Sequence, residues 1–306
     1  MKIRNLINYS FALCLGVVIA SCNNNANTAD QFTSGSYRFV FDESISPLLD
    51  QELYVFKSAF PDAKPDVSYQ PENKILDYIL NDKARFAVMG RSLNPDEVKL
   101  LTNRSLPPKI GKIAEDAVAL IVAKNSSDSV MLLSDVKKLF LSSTKIGKNL
   151  VFDSPNSSII NYLKRISGTN QLDGKRIYAL KNSKEVIRYV GAHQDAIGFI
   201  SYSWLLEPDA DYADATKYVK VLGIKDDSKK NVNNNNNYIK PSQSALALNE
   251  YPLRRTIYVV DCTGKVGLGT GFAAFLQSER GQKIVLRSGL LPDSLPGREI
   301  NIKKNL

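Results

Sequence analysis

Apolar positions along the chain alternate between compact runs that suit strands and spacings near 3.6 that suit helices. Tyr37-Arg38-Phe39-Val40-Phe41 reads as a short strand, and a helix is expected over about 47–60. Residues 66–69 are the next strand, and Ile75, Leu76, Ile79 and Leu80 then line one face of a helix over 72–80. Residues 85–89 are again strand. Asn94-Pro95-Asp96-Glu97 opens a helix, with an Asn cap, a proline in the first turn and an acid three residues past the cap. Residues 117–123 form a wholly apolar strand.

The middle of the chain repeats this order. Ser134 is expected to cap a short helix bearing Val136, Leu139 and Phe140, and residues 150–152 are strand. Ser157 or Ser158 opens a helix that turns Ile159, Ile160, Leu163 and Ile166 to a core. Residues 184–192 read as helix and 196–200 as a buried strand. Residues 231–237 are nearly all Asn, which cannot bury apolar surface, so they read as a loop insertion. Residues 256–260 are strand. Thr270 is expected to cap a last helix carrying Phe272, Phe275, Leu276, Ile284 and Val285, ended by Gly289. Strands alternating with helices predict an α/β layer architecture. No internal repeat of fixed period is present.

The N-terminus changes the compartment. Lys2 and Arg4 precede an apolar run over 11–20, about half the length of a membrane span and the length of a signal-peptide core. Ile19-Ala20-Ser21-Cys22 resembles the bacterial lipoprotein cleavage box, which implies that 1–21 are removed and Cys22 carries a lipid. Residues 22–35 are polar and aperiodic, as expected of a tether. Of three cysteines, Cys14 leaves with the signal and Cys22 is acylated, so Cys262 stands alone and no disulfide staples the fold. Its place in a strand-like run reads as a buried, inert thiol. The remaining 285 residues suffice for two domains.

The formal charge is +9, with basic residues scattered rather than aligned and not interleaved with aromatics. That argues against nucleic acid and suits a small anion or an acidic membrane surface. A single histidine, His193, without a Cys or His cluster, makes a metal site improbable and leaves no triad unless His193 itself serves. No carboxylate pair has a spacing that singles it out for acid–base work. Gly267-Leu268-Gly269-Thr270-Gly271 lacks the Lys-Ser/Thr ending of a nucleotide loop. Trp204 reads as a core residue.

Several segments in order resemble the phosphate-binding proteins of ABC transporters. Asp195-Ala196-Ile197-Gly198-Phe199-Ile200 is similar to that family's "GAIGY" strand. Tyr251-Pro252-Leu253-Arg254-Arg255-Thr256-Ile257-Tyr258 is similar to its "YPLSRPLY" segment, and Gly281-Gln282 through Gly289-Leu290-Leu291-Pro292 to its "GQ…G…P" ending. Between them, Lys220-Val221-Leu222-Gly223-Ile224 and Lys240-Pro241-Ser242 fall in the matching order. The resemblance implies a two-lobed periplasmic-binding-protein fold of type II, two α/β domains with a hinge and a ligand cleft. It implies discontinuous domains, 36–116 with 251–295 and then 117–250, followed by a tail over 296–306.

The resemblance also implies where a ligand is held. The "GSTS"-like turn matches Phe41-Asp42-Glu43-Ser44-Ile45, with Glu43 and Ser44 as candidates; Glu43 stands where a donor is usual. Both acids there also suit a helix start, through the dipole alone. The "ASR-x-L" turn matches Met89-Gly90-Arg91-Ser92-Leu93, with Gly90, Arg91 and Ser92 as candidates and Arg91 foremost. The "R…GSGT" loop matches Asp153-Ser154-Pro155-Asn156-Ser157-Ser158-Ile159, with Asn156, Ser157 and Ser158 as candidates, although one serine could serve as the helix cap. Ile159 replaces a threonine and Asp153 falls near the family's arginine.

The expected function is therefore that of an extracytoplasmic solute-binding lipoprotein. It would capture phosphate or a similar oxyanion for an ABC permease, as a monomer, without enzymatic activity, cofactor or metal. The alternative is an envelope interaction protein of the same fold that has lost or changed its ligand. A phosphoester hydrolase is disfavoured by the lone histidine.

Overall fold

The computed structural model describes residues 32–141, 147–169, 176–228 and 237–294. Cys22 and its flanks, the Asn run up to 236 and the tail from 295 lie outside these residues.

The strands are β1 (Gly35–Asp42), β2 (Ala63–Gln70), β3 (Phe86–Met89), β4 (Lys109–Ala123), β5 (Val130–Leu132), β6 (Asn149–Phe152), β7 (Ile177–Ala179), β8 (Ala196–Ser201), β9 (Val219–Val221), β10 (Gly223–Lys225), β11 (Arg254–Asp261) and β12 (Leu291–Pro292). The helices used below are α1 (Ser46–Ala59), α2 (Glu72–Leu80), α3 (Pro95–Asn103), α4 (Leu133–Lys138), α5 (Ser158–Ser167), α6 (Ser183–Ala192), α7 (Leu268–Gln277) and α8 (Glu279–Arg287).

One continuous sheet runs β2-β1-β3-β11-β4-β8-β6-β7, with β12 and β9 also on β4, and β5 pairs with β10 separately. β4 holds it together. Its first part pairs antiparallel with β11 from Lys109 to Ala117, and its second with β8 from Val118 to Ile121. β1, β2 and β3 are mutually parallel on one side of β4, and β8, β6 and β7 on the other. Each side is a lobe, and Arg255 is in register with Asp116 where they meet.

Alternation along each strand covers both faces of each half-sheet. In β1, Phe39 and Phe41 turn to a core shared with Phe56, Phe86 and Phe272, while Val40 turns to Ile75, Ile79, Ala87 and Met89. In β4, Leu120 and Val122 join Phe140, Phe152, Ile159 and Leu163, while Ala119 and Ile121 join Val186, Val190 and Ile200. Phe39 and Phe86 lie 4.4 Å apart between ring centroids, and Phe152 stacks on Phe199 at 4.8 Å. Layered α/β halves on either side of a shared strand are the two-lobed binding-protein fold.

Several local expectations change. The apolar strand at 117–123 is the second half of the 15-residue β4. Ser134 does not cap α4, which starts at Leu133 without a side-chain cap. The last helix is two helices: Thr270 lies inside α7, and Ser278 breaks the run and caps α8 by accepting from Gly281 N–H at 3.3 Å. Gly281 is required there, since a Cβ would lie 2.3 Å from the Phe275 carbonyl oxygen. Gln282 beside it donates to the carbonyls of Leu276 and Ile113 at 2.8 and 3.0 Å. The Gly-Gln pair is thus a structural splice of α7, α8 and β4.

Candidate functional site

The ends of β1, β3 and β6 and the start of β11 meet at the seam between the lobes. β1 stops at Asp42, whose carboxylate accepts the Ser44 N–H at 3.0 Å and caps the short turn Glu43–Ile45 that leads into α1. β3 stops at Met89, and Gly90 passes close to the other lobe. A Cβ at Gly90 would meet Arg255 Nη1 at 3.0 Å, Asp42 Oδ2 at 3.2 Å and Ser158 Cβ at 3.3 Å, so glycine alone fits this backbone without a shift. β6 ends before Asp153, and Ser157 caps α5 by accepting from Ile160 N–H at 3.2 Å. Ser158 is then the first residue of α5, at the positive end of that helix.

Arg255 ties these ends together. It is buried, and its Nη1 donates to Ser158 Oγ at 2.7 Å while its Nη2 donates to Ser44 Oγ at 2.9 Å. The two hydroxyl oxygens are themselves 3.0 Å apart and belong to opposite lobes. The other edge of the guanidinium faces Asp116, with Nε donating to Oδ2 at 2.9 Å. Ser201 donates to the remaining Asp116 oxygen at 2.8 Å. Burial works against the Arg255 charge, but Asp116 and then Asp42 outweigh it and hold the group above its usual value. Burial pushes Asp116 up, and the permanently charged guanidinium of Arg255 opposes that shift most strongly. Trp204, buried as expected, donates its indole N–H across the seam to the Ser44 carbonyl at 2.9 Å.

A second group of acids lies alongside. Glu43 accepts from the backbone N–H and the hydroxyl of Ser183, at the start of α6, at 3.3 and 3.4 Å. Its carboxyl also faces Asp153, which is buried and has one oxygen without a hydrogen-bond partner. Burial first, and then its neighbour's charge, pushes Glu43 far above the usual carboxylate range. Asp153 is pushed up by burial as well, so the two carboxyls hold a proton between them at neutral pH. Glu43 also borders a cavity of about 620 Å³ between the lobes, walled by Tyr54, Tyr69, Trp204, Lys184 and Arg287.

Of the residues singled out in the sequence, the fold therefore brings Ser44, Gly90 and Ser158 onto one point, with Ser157 and Glu43 beside it. Arg91 is elsewhere. Its Nη1 and Nη2 grip Glu97 at 2.9 and 2.8 Å, and its Nε donates to Glu72 at 3.0 Å, at the rim of the seam. Ser92 turns back to the Leu93 carbonyl, and Asn156 accepts from Asn73 at 3.2 Å across the rim. The cationic anchor at the centre is Arg255. It sits in the Tyr251–Tyr258 segment that carried the family resemblance, and its signal was a charged pair opening an apolar strand. Asp116, an acid just before the apolar run of β4, carried the same signal.

Other groups are accounted for structurally. Cys262 is a buried thiol pushed up to about 12 by burial. His193 stacks on Tyr189 with ring centroids 3.8 Å apart. Among the described residues no group of three or more His, Cys, Asp or Glu is placed to hold a metal ion, and no helix is long and apolar enough to cross a membrane.

A family model described as a PBP superfamily domain matches residues 26–280. No curated protein sequence matches significantly. Among solved structures, one from Clostridium perfringens, assigned as a phosphate ABC transporter substrate-binding protein and holding bound phosphate, superposes with a TM-score of 0.68. It is 19% identical and covers 85% of this chain and 100% of its own. An ABC-type phosphate transport receptor from Vibrio cholerae superposes with a TM-score of 0.62 at 15% identity, covering 84% of this chain and 100% of its own. At these identities the likeness is one of fold.

Proposed function

The chain belongs to the PBP superfamily, and from that premise we propose that it is an extracytoplasmic solute-binding protein that captures phosphate or a similar oxyanion between its lobes for ABC-type import. The observation that carries this reading is the convergence at the seam. Arg255 donates to Ser44 of one lobe and Ser158 of the other, beside the Gly90 N–H and the positive end of α5. Hydroxyls, backbone N–H groups, a helix start and a guanidinium are the donors that hold an oxyanion. Because the two sets sit on different lobes, a ligand accepting from both would favour closure about β4 and the 251–254 crossing. The sulfur of Cys22 carries the lipid in this reading, and a permease is the partner of the monomer.

Calorimetry on residues 23–306 tests the proposal. Saturable heat with phosphate or sulfate at or below millimolar concentration, lost in Ser158→Ala, is the expected result. No heat from phosphate, sulfate, molybdate or organic phosphates at millimolar concentration would remove it. The second reading, an envelope interaction protein with a lost or changed ligand, is favoured by the acids at the seam, Asp42, Glu43 and Asp153. A stable complex with an envelope protein, purified without any small ligand, would decide for it.

A further inference from the structure

The first lobe's donors at the seam are already taken by one of its own side chains. Asp42 is buried, with 1% of its surface exposed. Its Oδ1 accepts the Ser44 N–H at 3.0 Å and the Ser44 hydroxyl at 2.8 Å, and its Oδ2 accepts the Gly90 N–H at 3.3 Å. That carboxylate also borders the Arg255 guanidinium, since a single Cβ at Gly90 would lie 3.0 Å from Arg255 Nη1 and 3.2 Å from Asp42 Oδ2. Two carboxylate oxygens on two backbone N–H groups and a hydroxyl, next to a guanidinium, reproduce the contacts of two oxygens of a bound oxyanion.

We propose that Asp42 is a tethered anion that occupies the oxyanion position of the cleft and sets its specificity, so that an external oxyanion binds only by displacing it. The idea rests on the cleft assignment above, though not on phosphate being the solute. An incoming dianion meets donors that are already satisfied and a like charge within the same small space. Asp116 takes up one edge of Arg255, so little positive charge is left over to offset that repulsion. The three donors Asp42 uses are freed only when the carboxylate swings away or is removed.

Two variants of the soluble protein test this. In Asp42→Ser the carboxylate is gone while a hydroxyl remains, and phosphate should bind on the order of 100-fold more tightly than to wild type by calorimetry, as expected from removing a close like charge. In Asp42→Gly the side chain is deleted, and the melting temperature should fall. Excess formate, a one-carbon carboxylate, should raise it again by several degrees while leaving wild type unmoved, because it binds the folded form alone. Formate rescue of Asp42→Gly without phosphate binding by Asp42→Ser would support the tethered anion and end the oxyanion-import reading. Asp42→Ser binding phosphate no more tightly than a wild-type protein that does bind it, or an Asp42→Gly melting temperature that formate leaves unchanged, would overturn the proposal.

Discussion

Glu52 offers a direct test of how this core is balanced. It lies on the inward face of α1 with Leu48, Leu49, Leu53 and Phe56, wholly buried, and neither carboxyl oxygen has a hydrogen-bond partner. Burial pushes its pKa from 4.5 up to about 9. A carboxyl with a raised folded pKa binds its proton more tightly in the folded state. Its stabilising share is therefore complete below the unfolded pKa and is lost as pH rises toward the folded one. The loss is about 1.4 kcal/mol per pH unit within that window. Between pH 5 and pH 7 Glu52 should therefore remove about 3 kcal/mol of stability. Glu52→Met keeps the length and the apolar contacts and deletes the ionisable group. Urea unfolding of both proteins at pH 5, 6, 7 and 8 should show the variant losing less stability per pH unit, and exceeding wild type by about 3 kcal/mol at pH 7. A variant with the wild-type pH slope, or one less stable than wild type at pH 7, would refute the assignment of Glu52 as a buried, neutral acid.

Other outcomes follow from the seam and the splice. Arg255→Ala leaves Asp116 buried without its cation and should lower stability by about 3–5 kcal/mol, read by urea unfolding. Glu43→Gln removes one member of the proton-sharing pair. Because both carboxyls are pushed up, wild type loses stability as pH rises through and above neutrality, and the variant should show a shallower decline in thermal melts over pH 6–9. Gly281→Ala drives a Cβ into the Phe275 and Leu276 carbonyls and should destabilise by about 1–3 kcal/mol, whereas Gly267→Ala, which meets nothing within 4 Å, should cost far less in the same assay. Trp204→Phe keeps the packing and deletes the indole bond to Ser44, and should weaken oxyanion binding without a change in fold by circular dichroism.

Much of the architecture could be read from residue order. Strand and helix periods marked most elements, the Asn94–Glu97 box marked the start of α3, and the ordered segments near the C-terminus pointed to a two-lobed binding fold. These are local signals, since periodicity and capping act within a few residues of chain. Ser157 and Ser158, at a helix start, were visible for the same reason, and Ser44 through the resemblance of its turn. What each side chain faces across the seam was not. Arg91 sat in the motif expected to supply the cation, but Glu72 and Glu97 lie within reach of it in space, and the guanidinium turns to them. The cation that the fold sets at the junction of the lobes is Arg255, because register pairing on β4 places it against Asp116. Glu52 looks like a surface acid in a helical pattern, and its burial follows from how α1 lies on the sheet beside α7 and α8. Charge pairing, desolvation and contact between lobes depend on distances between residues far apart in the chain, and those distances exist only once the strands have been ordered into one sheet.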